Sequence, residues 1–130
     1  MMNGYLDPAW TTAPTTAASL VTISALPAAI AAGSYDVYVY VLGSVASDMR
    51  TYQYAIGATT FTVVQNTAPP IPPASPYPYT AAPDMGSGTH VIFRAITGAS
   101  FTLTAKGISG TGSRFRAPVN GIQIVFPAGS

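Results

Sequence analysis

Cysteine is absent, so neither a disulfide nor a thiolate metal site can form, and the fold stands on packing, alone or with a hard cation. Glutamate is absent as well. The acidic residues are Asp7, Asp36, Asp48 and Asp84, and charged residues make up only 7% of the chain, with a formal net charge of +1. Five basic residues spread along the sequence make no patch, so neither nucleic acid nor an acidic membrane surface is an expected partner. A single histidine, His90, is too little for a transition-metal site. Long apolar runs are missing too. The mildest stretch, 17–32, is broken by Thr22, Ser24 and Pro27, short of the ~20 residues a membrane helix needs.

What is present is 48% hydrophobic residues, 12 glycines and 12 prolines in 130 residues. That length suits one domain able to bury a core. Surface polarity falls to Thr, Ser, Asn and Gln, a balance typical of secreted bacterial β-domains. The opening, Met1-Met2-Asn3-Gly4-Tyr5-Leu6, lacks the basic and apolar regions of a signal peptide. A cytosolic protein and a domain excised from a larger secreted protein both fit that start, and the composition favours the second.

The organising stretch is Gly33 to Leu42. Tyr35, Val37, Val39 and Val41 alternate with Asp36, Tyr38, Tyr40 and Leu42. Period two in β-branched and aromatic residues predicts a strand. Its valine face suits a sheet-on-sheet core, and its other face is to be covered by loops or presented to a ligand. Such a strand belongs mid-sheet. Shorter alternations predict strands at 20–24, 51–56, 59–64, 89–94, 100–106 and 121–126, with Gly57-Ala58 as a hairpin turn. Phe101, Leu103 and Ala105 are expected inside, as are Ile122, Ile124 and Phe126, while Gln123 faces out. The alanine-rich 27–32 is too short for a helix that stands alone. Residues 67–88 form a long surface loop whose prolines favour extended backbone. Gly107 to Ser113 reads as a flexible loop. About seven or eight short strands with regular turns predict an all-β fold, an antiparallel β-sandwich or jelly roll.

Leu26-Pro27 leading through Gly33-Ser34 into Tyr35-Asp36-Val37-Tyr38-Val39-Tyr40 resembles galactose-binding-like jelly-roll domains. The same holds for Ser100-Phe101-Thr102-Leu103-Thr104-Ala105 and for Ala117-Pro118-Val119-Asn120-Gly121-Ile122-Gln123-Ile124-Val125. These domains include carbohydrate-binding modules attached to polysaccharide-degrading enzymes of secreted bacterial proteins. The likeness spans roughly residues 20–126 and concerns scaffold, so it carries no binding residue over. It implies a jelly-roll fold, a polysaccharide or oligosaccharide ligand, a covalently linked glycoside hydrolase in the parent protein, and often a structural calcium ion.

Sugar recognition needs flat aromatic faces ringed by hydrogen-bonding groups. Three groups of residues qualify. Trp10 and Tyr5 lie in the irregular N-terminal segment near Asp7 and Asn3. Tyr77 and Tyr79 lie in the proline-rich loop, where rigid neighbours reduce the entropy lost on binding. Asp36, Tyr38 and Tyr40 share one face of the central strand, which Arg94, His90 and Gln123 join if their strands are neighbours. Each has a plainer reading: Trp10 in the core, Tyr77 and Tyr79 pinning the loop, Tyr38 and Tyr40 as covered structural residues, Asp36 and Arg94 as an ion pair. Calcium stays open, with Asp7 or Asp48 and nearby carbonyls as ligands.

Catalysis is not expected. Four aspartates and no glutamate leave few carboxylate pairs for glycoside hydrolysis. A triad drawn through His90 and Asp36 or Asp84 lacks a nucleophile elbow. Gly107 to Gly112 lacks the lysine of a phosphate loop. The sequence therefore points to a non-catalytic module binding a neutral plant-type polysaccharide, with a lean toward β-1,4-glucans. The alternative is a structural or adhesive β-sandwich domain of a cell-surface or fibre protein.

Overall fold

A computed structural model describes residues 18–41, 50–65, 80–86, 88–110 and 117–127. Seven strands and one helical turn follow one another: β1 (Ser19–Ile23), α1 (Ala28–Ala31), β2 (Ser34–Tyr40), β3 (Arg50–Ile56), β4 (Thr59–Gln65), β5 (His90–Thr97), β6 (Phe101–Gly110) and β7 (Gly121–Val125). They build two antiparallel sheets, one ordered β1-β6-β3-β4 and the other β5-β2-β7. The organising strand β2 is central in the smaller sheet, as its valine face and its tyrosine-bearing face predict. Among the described strands only the β3–β4 connection stays within a sheet, turning at Gly57 with φ 59°. Every other connection passes from one sheet to the other.

Alternation decides what each sheet buries. Tyr35, Val37, Val39 and Val41 point into the space between the sheets with Val91 and Phe93 of β5, and meet Tyr52, Tyr54 and Ile56 of β3 with Leu103 and Ala105 of β6. Aromatic pairs tie one sheet to the other. Phe61 of β4 meets Phe93 of β5 edge to face at 5.1 Å, and Tyr35 of β2 meets Phe101 of β6 at 6.1 Å. Tyr54 carries a polar atom into this core and satisfies it there, its Oη donating to Pro118 O at 2.6 Å. Each fully buried Val, Leu or Phe side chain contributes roughly 1.5–3 kcal/mol.

One side of the sandwich is stitched shut by a strap, residues 80–86, at the end of the proline-rich run. Its first part runs parallel to β5, with Ala81 paired to His90, and its last part pairs Gly86 with Val63 of β4. Backbone bonds hold both ends: Thr89 N to Thr80 O (2.7 Å), Ala82 N to His90 O (2.7 Å), Val64 N to Gly86 O (2.8 Å) and Met85 N to Thr62 O (2.8 Å). Asp84 adds its Oδ1, which accepts Thr62 N–H at 2.7 Å. Outer strands present unpaired backbone groups, and covering them is one way proteins blunt such edges. Here one strap covers parts of two edges.

Two expectations need correction, and one open point is decided. Residues 107–110 are not a loop: β6 runs on to Gly110 because Gly107, Ser109 and Gly110 pair with Tyr52, Thr51 and Arg50 of β3 around a register shift. Phe126 is 43% exposed, since β7 ends at Val125 and the inward alternation stops with it. Residues 28–31 do form a turn of α-helix. It is held by Pro27 O, which accepts from Ile30 N and Ala31 N, and by its junction with β2. No helix among the described residues is long and apolar enough to cross a membrane.

Candidate functional site

The outer face of the smaller sheet gathers the polar and aromatic residues that the sequence assigns to the non-valine side of β2. Register arranges them in rows across β5, β2 and β7. One row is Ile92, Tyr38 and Gln123, and the next is His90, Tyr40 and Gly121. Beyond Tyr38, Asp36 pairs with Val125 and is bonded to Arg94. Because side chains alternate, Asp36, Tyr38 and Tyr40 stand on one surface about 6.6–6.8 Å apart along β2. Tyr38 and Tyr40 are half-buried, leaving part of each ring accessible.

The Tyr40 row is polar and aromatic at once. Tyr40 Oη donates to Gln123 Oε1 at 3.0 Å, which leaves the amide hydrogens of Gln123 as donors. Gly121 beside it has no side chain, and a Cβ there would lie 4.0 Å from the Tyr40 ring. His90 stacks on Tyr38 with planes 9° apart and centroids at 5.6 Å, and meets Tyr40 at 5.5 Å tilted by 48°. Its own exposure is only 8%. Burial among rings disfavours the imidazolium, so the His90 pKa lies below its ordinary value of 6.5.

At the other end Arg94 and Asp36 form an ion pair, Nη1 to Oδ2 at 2.9 Å, with side chains 66% and 29% exposed. A pair this open contributes about 0–1 kcal/mol to stability. Its structural task is local. The pairing of β2 with β5 slips between Tyr35 and Val37, so that β5 carries one residue too many. Ala95 absorbs the excess at φ 56°, a conformation that costs a non-glycine residue about 1–2 kcal/mol. Asp36 Oδ1 accepts the Ala95 N–H at 3.0 Å. The bulge thus has a carboxylate holding it, the same one that pairs with Arg94.

Asp36, Tyr38, Tyr40, Arg94 and Gln123 are therefore brought together, with His90 and Ile92 among them. Trp10, Tyr5, Tyr77 and Tyr79 lie outside the described residues, as do the calcium candidates Asp7 and Asp48. Among the described residues no three His, Asp or Glu side chains group to hold a metal ion. Parity along β5 put His90 on this face. Its contacts with both tyrosines and with Thr89 had no signal in the sequence, because they depend on which strands are neighbours.

Chemically the surface can stack a flat apolar patch on its rings and exchange hydrogen bonds with a hydroxylated ligand. Gln123 and Arg94 supply the donors and Asp36 the acceptors. Among the described residues the surface carries one compensated charge pair, Asp36 and Arg94. Comparison with protein-family profiles, curated proteins and solved structures gives no match to this chain.

Proposed function

We propose that the chain is a non-catalytic carbohydrate-binding module of the galactose-binding-like jelly-roll kind, secreted as part of a larger protein, whose attached glycoside hydrolase it keeps near a neutral plant-type polysaccharide. The lean among glycans is toward β-1,4-glucans. The observation that carries the reading is the joint placement of Tyr38, Tyr40, Gln123 and the Asp36–Arg94 pair on the outer face of one sheet. A pyranose ring presents C–H groups on its faces and hydroxyls around its rim, and this surface presents rings in the middle and hydrogen-bonding groups at the ends. The wrapped connections between sheets, with their one in-sheet hairpin, favour the jelly-roll description.

A second reading has its own observation. Val125 and Phe126 stand exposed together at the end of β7, and Leu20 on the outer strand β1 is 66% exposed. A structural or adhesive domain would cover such residues with a neighbour.

Native affinity electrophoresis through gels containing β-glucans, xyloglucan, xylan, mannan or galactan separates the two. The module reading expects retardation on one glycan, reduced on the order of tenfold in affinity by Tyr38→Ala or Tyr40→Ala. Trp10→Ala and Tyr77→Ala report whether the remaining aromatics take part, and repetition with and without calcium tests the cation. Unchanged mobility on every glycan sinks the module reading and leaves the structural one.

A further inference from the structure

The hydrogen bonds gathered at Thr89 favour one tautomer of His90. Thr89 Oγ1 lies 3.0 Å from Thr80 O, accepts Thr80 N–H at 2.8 Å and lies 3.0 Å from His90 Nδ1. All three contacts are hydrogen bonds in one arrangement only, in which the single hydroxyl hydrogen of Thr89 goes to Thr80 O, a carbonyl oxygen that can only accept. Oγ1 then has none to give the imidazole, and His90 Nδ1 must carry its own hydrogen and donate it. In the neutral ring Nε2 is left as a bare acceptor. Nδ1 is the ring nitrogen beside Cγ, whereas Nε2 sits at the far end, away from the β5 backbone. Among the described residues Nε2 has no hydrogen-bond partner. A side chain so deeply buried that keeps an acceptor unpaired, on a face built of tyrosines, has a vacancy for a donor.

Resting on the carbohydrate reading of this face, we propose that His90 Nε2 accepts a hydrogen bond from a hydroxyl of the glycan lying on Tyr38 and Tyr40, which makes His90 a specificity-determining residue and binding sensitive to acid. Two effects have the same sign. Protonation puts a hydrogen where the ligand must donate, and a covering ligand removes water that would solvate the imidazolium. The ligand therefore binds the neutral ring better, and by linkage it lowers the pKa of His90 further. Affinity is full above the titration of the free protein and falls as pH drops through it. Among the described residues, the groups packed around the ring bring no competing charge. The titratable side chains against it are the phenols of Tyr38 and Tyr40 on β2, and the strap presents Thr80 and Ala81. The charged pair of this face, Asp36 and Arg94, lies beyond the Tyr38 row.

His90 is the only histidine, so its imidazole signals are unambiguous. The test is a ¹⁵N imidazole spectrum of the full chain, titrated in pH with and without cellohexaose. The free protein is expected to show Nδ1–H with Nε2 unprotonated; the opposite tautomer overturns the inference. Saturating cellohexaose is expected to move the Nε2 resonance and lower the His90 pKa. In parallel, wild-type affinity weakens about tenfold as the imidazole protonates, and His90→Gln, which keeps an amide oxygen as acceptor and does not titrate, holds its affinity constant. Cellohexaose that shifts β2 amides yet leaves the His90 titration unchanged contradicts this inference and spares the carbohydrate reading. Cellohexaose that shifts no resonance contradicts both for β-1,4-glucans.

Discussion

Two residues test the physical account most sharply. Tyr54 buries its ring between the sheets only because Oη finds Pro118 O at 2.6 Å. Tyr54→Phe leaves that carbonyl without its partner and is expected to cost about 1–3 kcal/mol in urea unfolding, with the sheets intact. Ala95 is the converse, a residue whose backbone is strained. Ala95→Gly relieves the left-handed conformation and loses some chain entropy, so it is expected to stabilise by about 0.5–1 kcal/mol in the same assay. A destabilised Ala95→Gly protein would mean that the bulge is not under strain. The inward residues of β2 and β6 were legible in the sequence because alternation alone assigns them. The bulge was not. Arg94-Ala95 has no glycine to announce a positive φ, and the register slip needs both strands in view.

At the scale of elements, the strap was the least legible part. The proline-rich run reads as a surface loop, and its last residues engage two strands through backbone atoms, which side-chain pattern does not encode. Gly88 shows how tightly this is built: a Cβ there would stand 2.5 Å from Ala82 N and 2.7 Å from Thr80 O. Those are backbone atoms that cannot swing aside, so Gly88→Ala is expected to cost several kcal/mol, on the order of an overpacked core site, and to lower the melting temperature accordingly. A Gly88→Ala protein that melts like wild type would mean that the strap does not hold this conformation. The length of β6 was misjudged for a related reason. Gly107-Ile108-Ser109-Gly110 has the composition of a turn, yet pairing with β3 keeps it extended. β2 was legible, including its place mid-sheet, since one face is apolar and the other carries two tyrosines.

For the whole molecule, the class of fold was readable and the gathering of the site was conditional. The sequence placed Asp36, Tyr38 and Tyr40 on one face, and strand order supplied the rest by seating β5 and β7 on either side of β2. Stability should depend on pH through two buried groups. His90 has a pKa depressed below 6.5 by burial, so the unfolded chain takes up a proton first as pH falls. Stability is therefore full above about 6.5 and declines on acidification through the folded-state value. Tyr35 is raised above 10.0 by burial, so stability is full below 10.0 and declines as pH rises past it. Urea midpoints measured from acid to alkaline pH should trace a plateau between these limits, and His90→Gln should lift the acid decline.

The central claim is that the outer face of β5-β2-β7 receives a glycan, and amide chemical-shift mapping with the oligosaccharide that binds tests it directly. The account predicts perturbations concentrated at residues 36–40, 90–94 and 121–125, with β1, β3, β4 and β6 unmoved. Shifts centred on the four-stranded sheet, or none with any glycan, would contradict it.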